Sequence, residues 1–143
     1  MDEIYGYALK LLRRRDYTVE ETRRRLQLKF GSAPQQVIDQ LLKKNFLNDR
    51  RFTENYMARR KKRGAAQLRE ELEGRGVDSD LIEEVVALTD WPSLQAAVAA
   101  KMNDWKLRAP LQPRDAARLF RALLRLGYDE GAIQEEIEQL HEQ

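Results

Sequence analysis

One pattern occurs twice in this chain at a fixed offset, and it restricts what the chain can fold into. Leu68-x3-Leu72-x3-Gly76-x-Asp78-x3-Ile82-x3-Val86 reappears 51 positions later as Leu119, Leu123, Gly127, Asp129, Ile133 and Ile137. Apolar residues four apart share one helix face. A glycine after such a stripe stops a helix, and an acidic residue two positions on caps the next. Each copy is therefore a helix, a stop, a cap and a second helix. A looser copy, Leu26, Gly31, Ile38 and Leu42, has two extra residues between its leucine and its isoleucine. One more helix precedes each copy, so three helices repeated three times make nine. The pattern predicts an all-α chain of three tandem three-helix repeats, an elongated, curved helical array that offers a long surface in place of a pocket.

The remaining punctuation sets the boundaries. Thr18-x-x-Glu21 reads as a capping box, and so does Ser32-x-x-Gln35 with Pro34 in the first turn. Asn48-Asp49, Asp78 and Asp129 read as caps. Gly31, Gly64, Gly76 and Gly127 fall where helices should stop, and Pro92 and Pro113 where helices should open. The expected helices are 2–15, 18–30, 33–44, 49–63, 65–75, 79–89, 92–104, 113–126 and 130–141. Short linkers imply hairpin-like packing within one domain. Its repeats are expected at 1–47 (basic), 48–90 (basic then acidic) and 91–143 (acidic).

Composition excludes several functions. The chain has no cysteine, so disulfides, thiolate catalysis and Cys-ligated zinc or iron–sulfur centres are out. Its one histidine, His141, cannot build a metal site or a Ser-His-Asp triad. The clusters Glu70-Glu71-Glu73, Glu83-Glu84 and Glu135-Glu136-Glu138 point in several directions on their helices, which suits solvated faces better than catalysis. No glycine-rich phosphate loop is present. An enzyme is therefore not expected, nor a catalytic residue, a metal site or a cofactor. Apolar runs are too short to span a membrane, and the acidic N-terminus has no secretory character, so a cytoplasmic protein is expected. The net charge of +2 divides unevenly. Residues 1–75 hold 19 basic and 11 acidic side chains, and residues 76–143 hold 7 and 13. Such polarity concerns partners, not fold.

The segment Phe46-Leu47-Asn48-Asp49-Arg50-Arg51-Phe52, with Tyr56, Arg60, Gly64, Leu68, Leu72 and Arg75-Gly76-Val77, resembles the central repeat of the RecX family. Tyr7-Ala8-Leu9, Leu12, Tyr17-Thr18, Glu21 and Leu26 look like its first repeat. Asp90-Trp91, Phe120, Leu124 and Leu126-Gly127-Tyr128 look like its third. The resemblance implies three tandem three-helix repeats and a regulator of the RecA recombinase. It implies binding along the groove of the RecA–single-stranded-DNA filament, with inhibition of ATP hydrolysis, strand exchange and repressor self-cleavage. The chain opens almost directly on its first helix, where many members carry an N-terminal extension, so contacts made by such an extension are not expected here.

The cations are the candidate contact residues. On a continuous fourth helix, Phe52, Tyr56, Arg59 and Arg63 fall within about 60° of one another, and Arg60 lies on the flank. Arg59-Arg60-Lys61-Lys62-Arg63 exceeds what a helix C-terminus needs for capping, and Arg60 matches the family's recurrent arginine. Arg24 points outward from the second helix and Arg25 lies on its flank, although Glu20 can pair with Arg24. Arg50 and Arg51 sit in a first turn, where the helix dipole disfavours a cation. Arg24, Arg25, Arg50, Arg51, Arg59, Arg60, Lys62 and Arg63 are thus the candidate filament or DNA contacts. Asp49, Phe52, Tyr56, Gly64, Gly76 and Gly127 are the structural motif, and Trp91 and Trp105 are expected to staple the second repeat to the third. The expected partner is the RecA filament, with single- or double-stranded DNA beside it. No membrane or small-molecule substrate is expected, and the chain reads as a monomer. A stand-alone nucleic-acid-binding module is the alternative, and an adaptor with another protein partner comes third.

Overall fold

The computed structural model describes residues 2–142. Among them it has nine α-helices and no strand: α1 (Asp2–Arg14), α2 (Val19–Phe30), α3 (Gln35–Lys43), α4 (Asp49–Arg59), α5 (Gly64–Gly74), α6 (Ser79–Leu88), α7 (Leu94–Asp104), α8 (Pro113–Arg125) and α9 (Glu130–Glu142). They form three tandem three-helix repeats, α1–α3, α4–α6 and α7–α9. A 3-10 turn, Lys61–Arg63, precedes α5.

The repeat seen in the sequence is a repeat of backbone bonds. Gly76 and Gly127 take φ of 86° and 97°. The next amides, Val77 and Tyr128, reach back to the carbonyls of Leu72 and Leu123 at 3.1 and 3.3 Å. Asp78 and Asp129 then accept from the amides of Leu81 and Ala132. Leu68, Leu72, Leu119, Leu123 and Ile133 are fully buried, with Ile82 almost so. The looser copy keeps Leu26 and Ile38 in the core, but its last position shifts by one. Leu41 is buried and Leu42 is exposed; in the central copy too Val85 is buried and Val86 only half-buried.

The chain divides into two compact units. One joins the chain up to Arg59 with Arg69–Thr89, and the other joins Arg60–Leu68 with the chain from Asp90 onward. In the first, Ala8, Leu26, Val37, Ile38, Leu41 and Leu47 form a core against Tyr5, Tyr7 and Phe30. In the second, α7, α8 and α9 close over Val98, Leu111, Ala116, Leu119, Leu123, Ile133 and Ile137. Trp105 packs within this second cluster, against its own repeat.

Four boundary expectations are corrected. The fourth helix ends at Arg59 and not at 63, and Arg60 has φ −129° and ψ 26°. Continuing it would stack cations at i,i+3 and i,i+4, each pair costing about 0.2–0.5 kcal/mol. Gly64 opens α5 and does not close α4. Pro34 is itself the N-cap of α3 with no side-chain cap bond, so Ser32 forms no capping box; Gln35 bonds Asp39 and Arg23. Ser93, one residue after Pro92, caps α7 through the Ala96 amide, since a hydroxyl can accept that bond and proline cannot.

Gly64 is fixed twice over. Its φ of 80° and ψ of 158° lie in a region essentially reserved for glycine. A Cβ there would stand 2.9 Å from Leu126 Cδ2 and 3.0 Å from the Leu126 Cα. At Gly127 an added Cβ would meet nothing within 4 Å. Gly127→Ala should therefore cost about 1–2 kcal/mol of backbone strain alone. Gly64→Ala should cost about 2–4 kcal/mol, as strain and overpacking add. Urea denaturation of the two variants checks the order.

Candidate functional site

The residues of the central motif meet the first repeat at one joint. Thr18 caps α2: its hydroxyl accepts from the Glu21 amide at 3.0 Å, and Glu21 accepts from the Thr18 amide at 3.0 Å. The same hydroxyl donates to the carbonyl of Arg75 at 2.7 Å. The Arg75 guanidinium returns to Glu21 Oε2 at 3.0 Å and lies over the rings of Tyr56 and Phe52, which stack on each other. Asn48 caps α4 through the Arg51 amide, which leaves Asp49 free for a second helix. Asp49 Oδ1 accepts from the Val19 amide at 2.9 Å and so satisfies an orphan donor at the start of α2. Gly76 faces Glu20, whose side chain a Cβ would strike. Asp49, Phe52, Tyr56 and Gly76 thus all lie at this joint.

Burial is the largest influence on Asp49 and raises its pKa from 3.8; the Val19 amide opposes this. The folded chain thus prefers the protonated carboxyl. The stability Asp49 contributes through titration is fullest below its unfolded pKa and is lost as pH rises through the folded value. Asp49→Ala should cost about 1 kcal/mol by orphaning the Val19 amide. Asp49→Asn keeps an oxygen acceptor and removes the buried charge. It should match or exceed the wild type at neutral pH and flatten the pH dependence of melting above pH 3.8. Thermal melts of both variants across that range check the sign.

The candidate cations fall into different settings. Arg51 donates to the carbonyls of Asn45 and Phe46 at 3.0 and 3.3 Å, closing the exit from α3. Arg50 pairs with Glu84 at 3.1 Å and approaches Glu54. Arg24 is exposed and 3.5 Å from Glu20. Arg25 is exposed beside the Tyr17 ring, which Arg15 also covers at 4.2 Å. Arg59 and Lys62 are exposed, Arg59 at the end of α4 and Lys62 in the 3-10 turn. Arg60 is half-buried and Arg63 exposed, and both are engaged within the chain. The run from 59 to 63 is thus spread over a helix end and a tighter turn, and does not form one ridge with Phe52 and Tyr56.

A basic surface in the second unit lies outside the expected set. The half-chain sums hid it. Residues 91–143 carry 7 basic and 8 acidic side chains and are nearly neutral; 76–90 and α9 hold the acid. Arg114, Arg118, Arg121 and Arg125 are all exposed on α8. Their spacing of four, three and four was legible in the sequence as one helix face.

The apolar surfaces are open. One groove of about 410 Å³ runs along α8 and α9, with Phe120 and Ile137 beside Arg121, Glu138 and His141. Among the described residues no group of three or more acidic or histidine side chains could hold a metal, and no helix is long and apolar enough to cross a membrane.

Tandem three-helix repeats with surface cations define a helical-repeat protein. Residues 48–86 match the family model described as RecX, second three-helix domain. The chain is 34% identical to a "Regulatory protein RecX" of Chromohalobacter salexigens, across 85% of this chain and 82% of that protein. Identity to a protein of the same name from Serratia proteamaculans is 30%, across 99% and 97%. A third, from Trichlorobacter lovleyi, is 37% identical over 59% of this chain and 58% of its own length. The fold is like that in the crystal structure of RecX from Lactobacillus salivarius, with a TM-score of 0.75 and 20% identity over 97% and 95% of the two chains. The chain belongs to the RecX family of regulatory proteins.

Proposed function

We propose that this chain binds the RecA–single-stranded-DNA filament and inhibits its ATP hydrolysis, its strand exchange and its stimulation of repressor self-cleavage. Family membership carries this reading: the similarity to the Serratia protein spans nearly the whole of both chains. The repeats 1–47, 48–90 and 91–143 are its working units, and the chain acts as a monomer in the cytoplasm.

The surface chemistry supports it. Arg24, Arg25, Arg59 and Lys62 are exposed cations. They suit acidic protein surface and DNA phosphates alike, and would steer encounter with a polyanionic filament. Arg60 and Arg63 join them at the 3-10 turn. Arg50 and Arg51 contribute chiefly by holding the local backbone, given their bonds to Glu84 and to the α3 exit. Inhibition follows from occupying surface that duplex DNA or repressor needs.

RecA ATP hydrolysis on single-stranded DNA, titrated with this protein, tests the reading. The wild type should inhibit. Arg24, Arg25, Arg59 and Lys62 changed together to Ala should raise the half-inhibitory concentration by about tenfold or more, which corresponds to about 1.4 kcal/mol of lost contact. Undiminished hydrolysis and strand exchange at saturating wild type would overturn the proposal.

A further inference from the structure

We propose that the outer face of α8 is a track for the phosphodiester backbone of single-stranded DNA, carried by Arg114, Arg118, Arg121 and Arg125. At 100° per residue the four side chains fall within an arc of about 60°, nearly opposite the buried Ala116, Leu119 and Leu123. They span about 17 Å of helix axis in steps of about 4.5–6 Å. Ala117 and the exposed Leu124 are the other outward residues, so the ridge itself carries no acid. Asp115 lies on the flank of α8, and Glu138 lies across the groove from Arg121.

The pairing pattern sets this ridge apart. Arg23, Arg24, Arg50, Arg51, Arg69 and Arg75 each have a carboxylate within 4.0 Å. Among the described residues, none of the four α8 arginines does. Like charges at i,i+3 and i,i+4 disfavour the helix that bears them, and Arg114 sits at the end of α8 where the dipole opposes a cation. A row of phosphates removes both penalties. Arg118 is already restrained, its guanidinium 3.7 Å over the Trp105 ring, and Lys101 approaches the same ring at 5.6 Å. Less side-chain freedom is then lost on binding. The contact of Gly64 with Leu126 brings the Lys61–Arg63 turn to the end of α8 that carries Arg125, which lengthens the basic surface. Phosphates fit better than an acidic protein patch, because a helical row of guanidiniums meets a regularly spaced row of anions and has no apolar anchor at its centre.

The test is fluorescence anisotropy of a labelled oligothymidylate at several salt concentrations, with no recombinase present, so its outcome is separate from that of the filament reading. The wild type should bind with a steep salt dependence. Arg114, Arg118, Arg121 and Arg125 changed together to Ala should weaken binding by at least about tenfold. The same change should reduce the log–log salt slope by about 2.8, or about 0.7 for each phosphate contact removed. All four changed to Lys should keep most of the slope, since the charges remain. Far-UV circular dichroism melts of both variants establish that α8 is still folded. If the Ala variant misfolds, the Lys variant and Arg→Gln changes made singly carry the slope measurement. No binding by the wild type, or an unchanged slope in the folded Ala variant, overturns the proposal. Bare-DNA binding left intact in the folded Ala variant would assign the ridge to an acidic protein surface instead.

Discussion

Two hydrogen bonds tie the start of α2 to the second repeat: the Val19 amide to Asp49, and the Thr18 hydroxyl to the Arg75 carbonyl. Helix ends leave donors and acceptors that must find partners, and here the partners come from another repeat. Glu21 serves the cap and the Arg75 ion pair at once, and Arg75 in turn covers Phe52 and Tyr56. Removing any one group strands others, so the joint behaves as a unit. It fixes the relation of α1–α3 to α4 and to the α5–α6 turn. It also explains why an acidic residue, an aromatic pair, an arginine and a glycine occur at set positions in the central repeat.

Charge is distributed in a way that sums over the sequence conceal. The basic half spends many of its arginines internally, on Glu20, Glu21, Glu83 and Glu84 and on the carbonyls that end α3. The half with excess acid keeps a row of exposed arginines on α8. Net charge counts side chains, whereas a partner meets those that are exposed, and most readily those not already paired.

The helices were legible because their signals are local. A capping box involves residues three apart, a glycine stop involves one turn, and an apolar stripe recurs within four positions. Thr18, Gly76, Asp78, Gly127 and Asp129 all behave as those rules require. Reading failed where several local signals competed. Ser32, Pro34 and Gln35 each offer a start for α3, and Pro92 and Ser93 each offer one for α7. The cation run after Arg59 looked like continued helix because Lys and Arg are good helix formers, but repulsion and the conformation of Gly64 end it. The α8 ridge is written in the sequence as a four-three-four spacing, but a sum of charge over a half-chain does not resolve a helix face.

The sequence by itself determined the nine helices, their grouping into repeats, the buried leucine and isoleucine stripes, and the lack of any thiol. These depend on short spacings and on residue type. Only the tertiary structure decided that Asp49 caps α2 and not its own helix. It alone decided that Arg51 closes the α3 exit, that Arg75 rather than a partner covers Phe52 and Tyr56, and that Gly64 must lie against Leu126. Each of these joins groups far apart in the chain, and a residue cannot reveal from its neighbours in sequence which distant donor, ring or backbone it will meet.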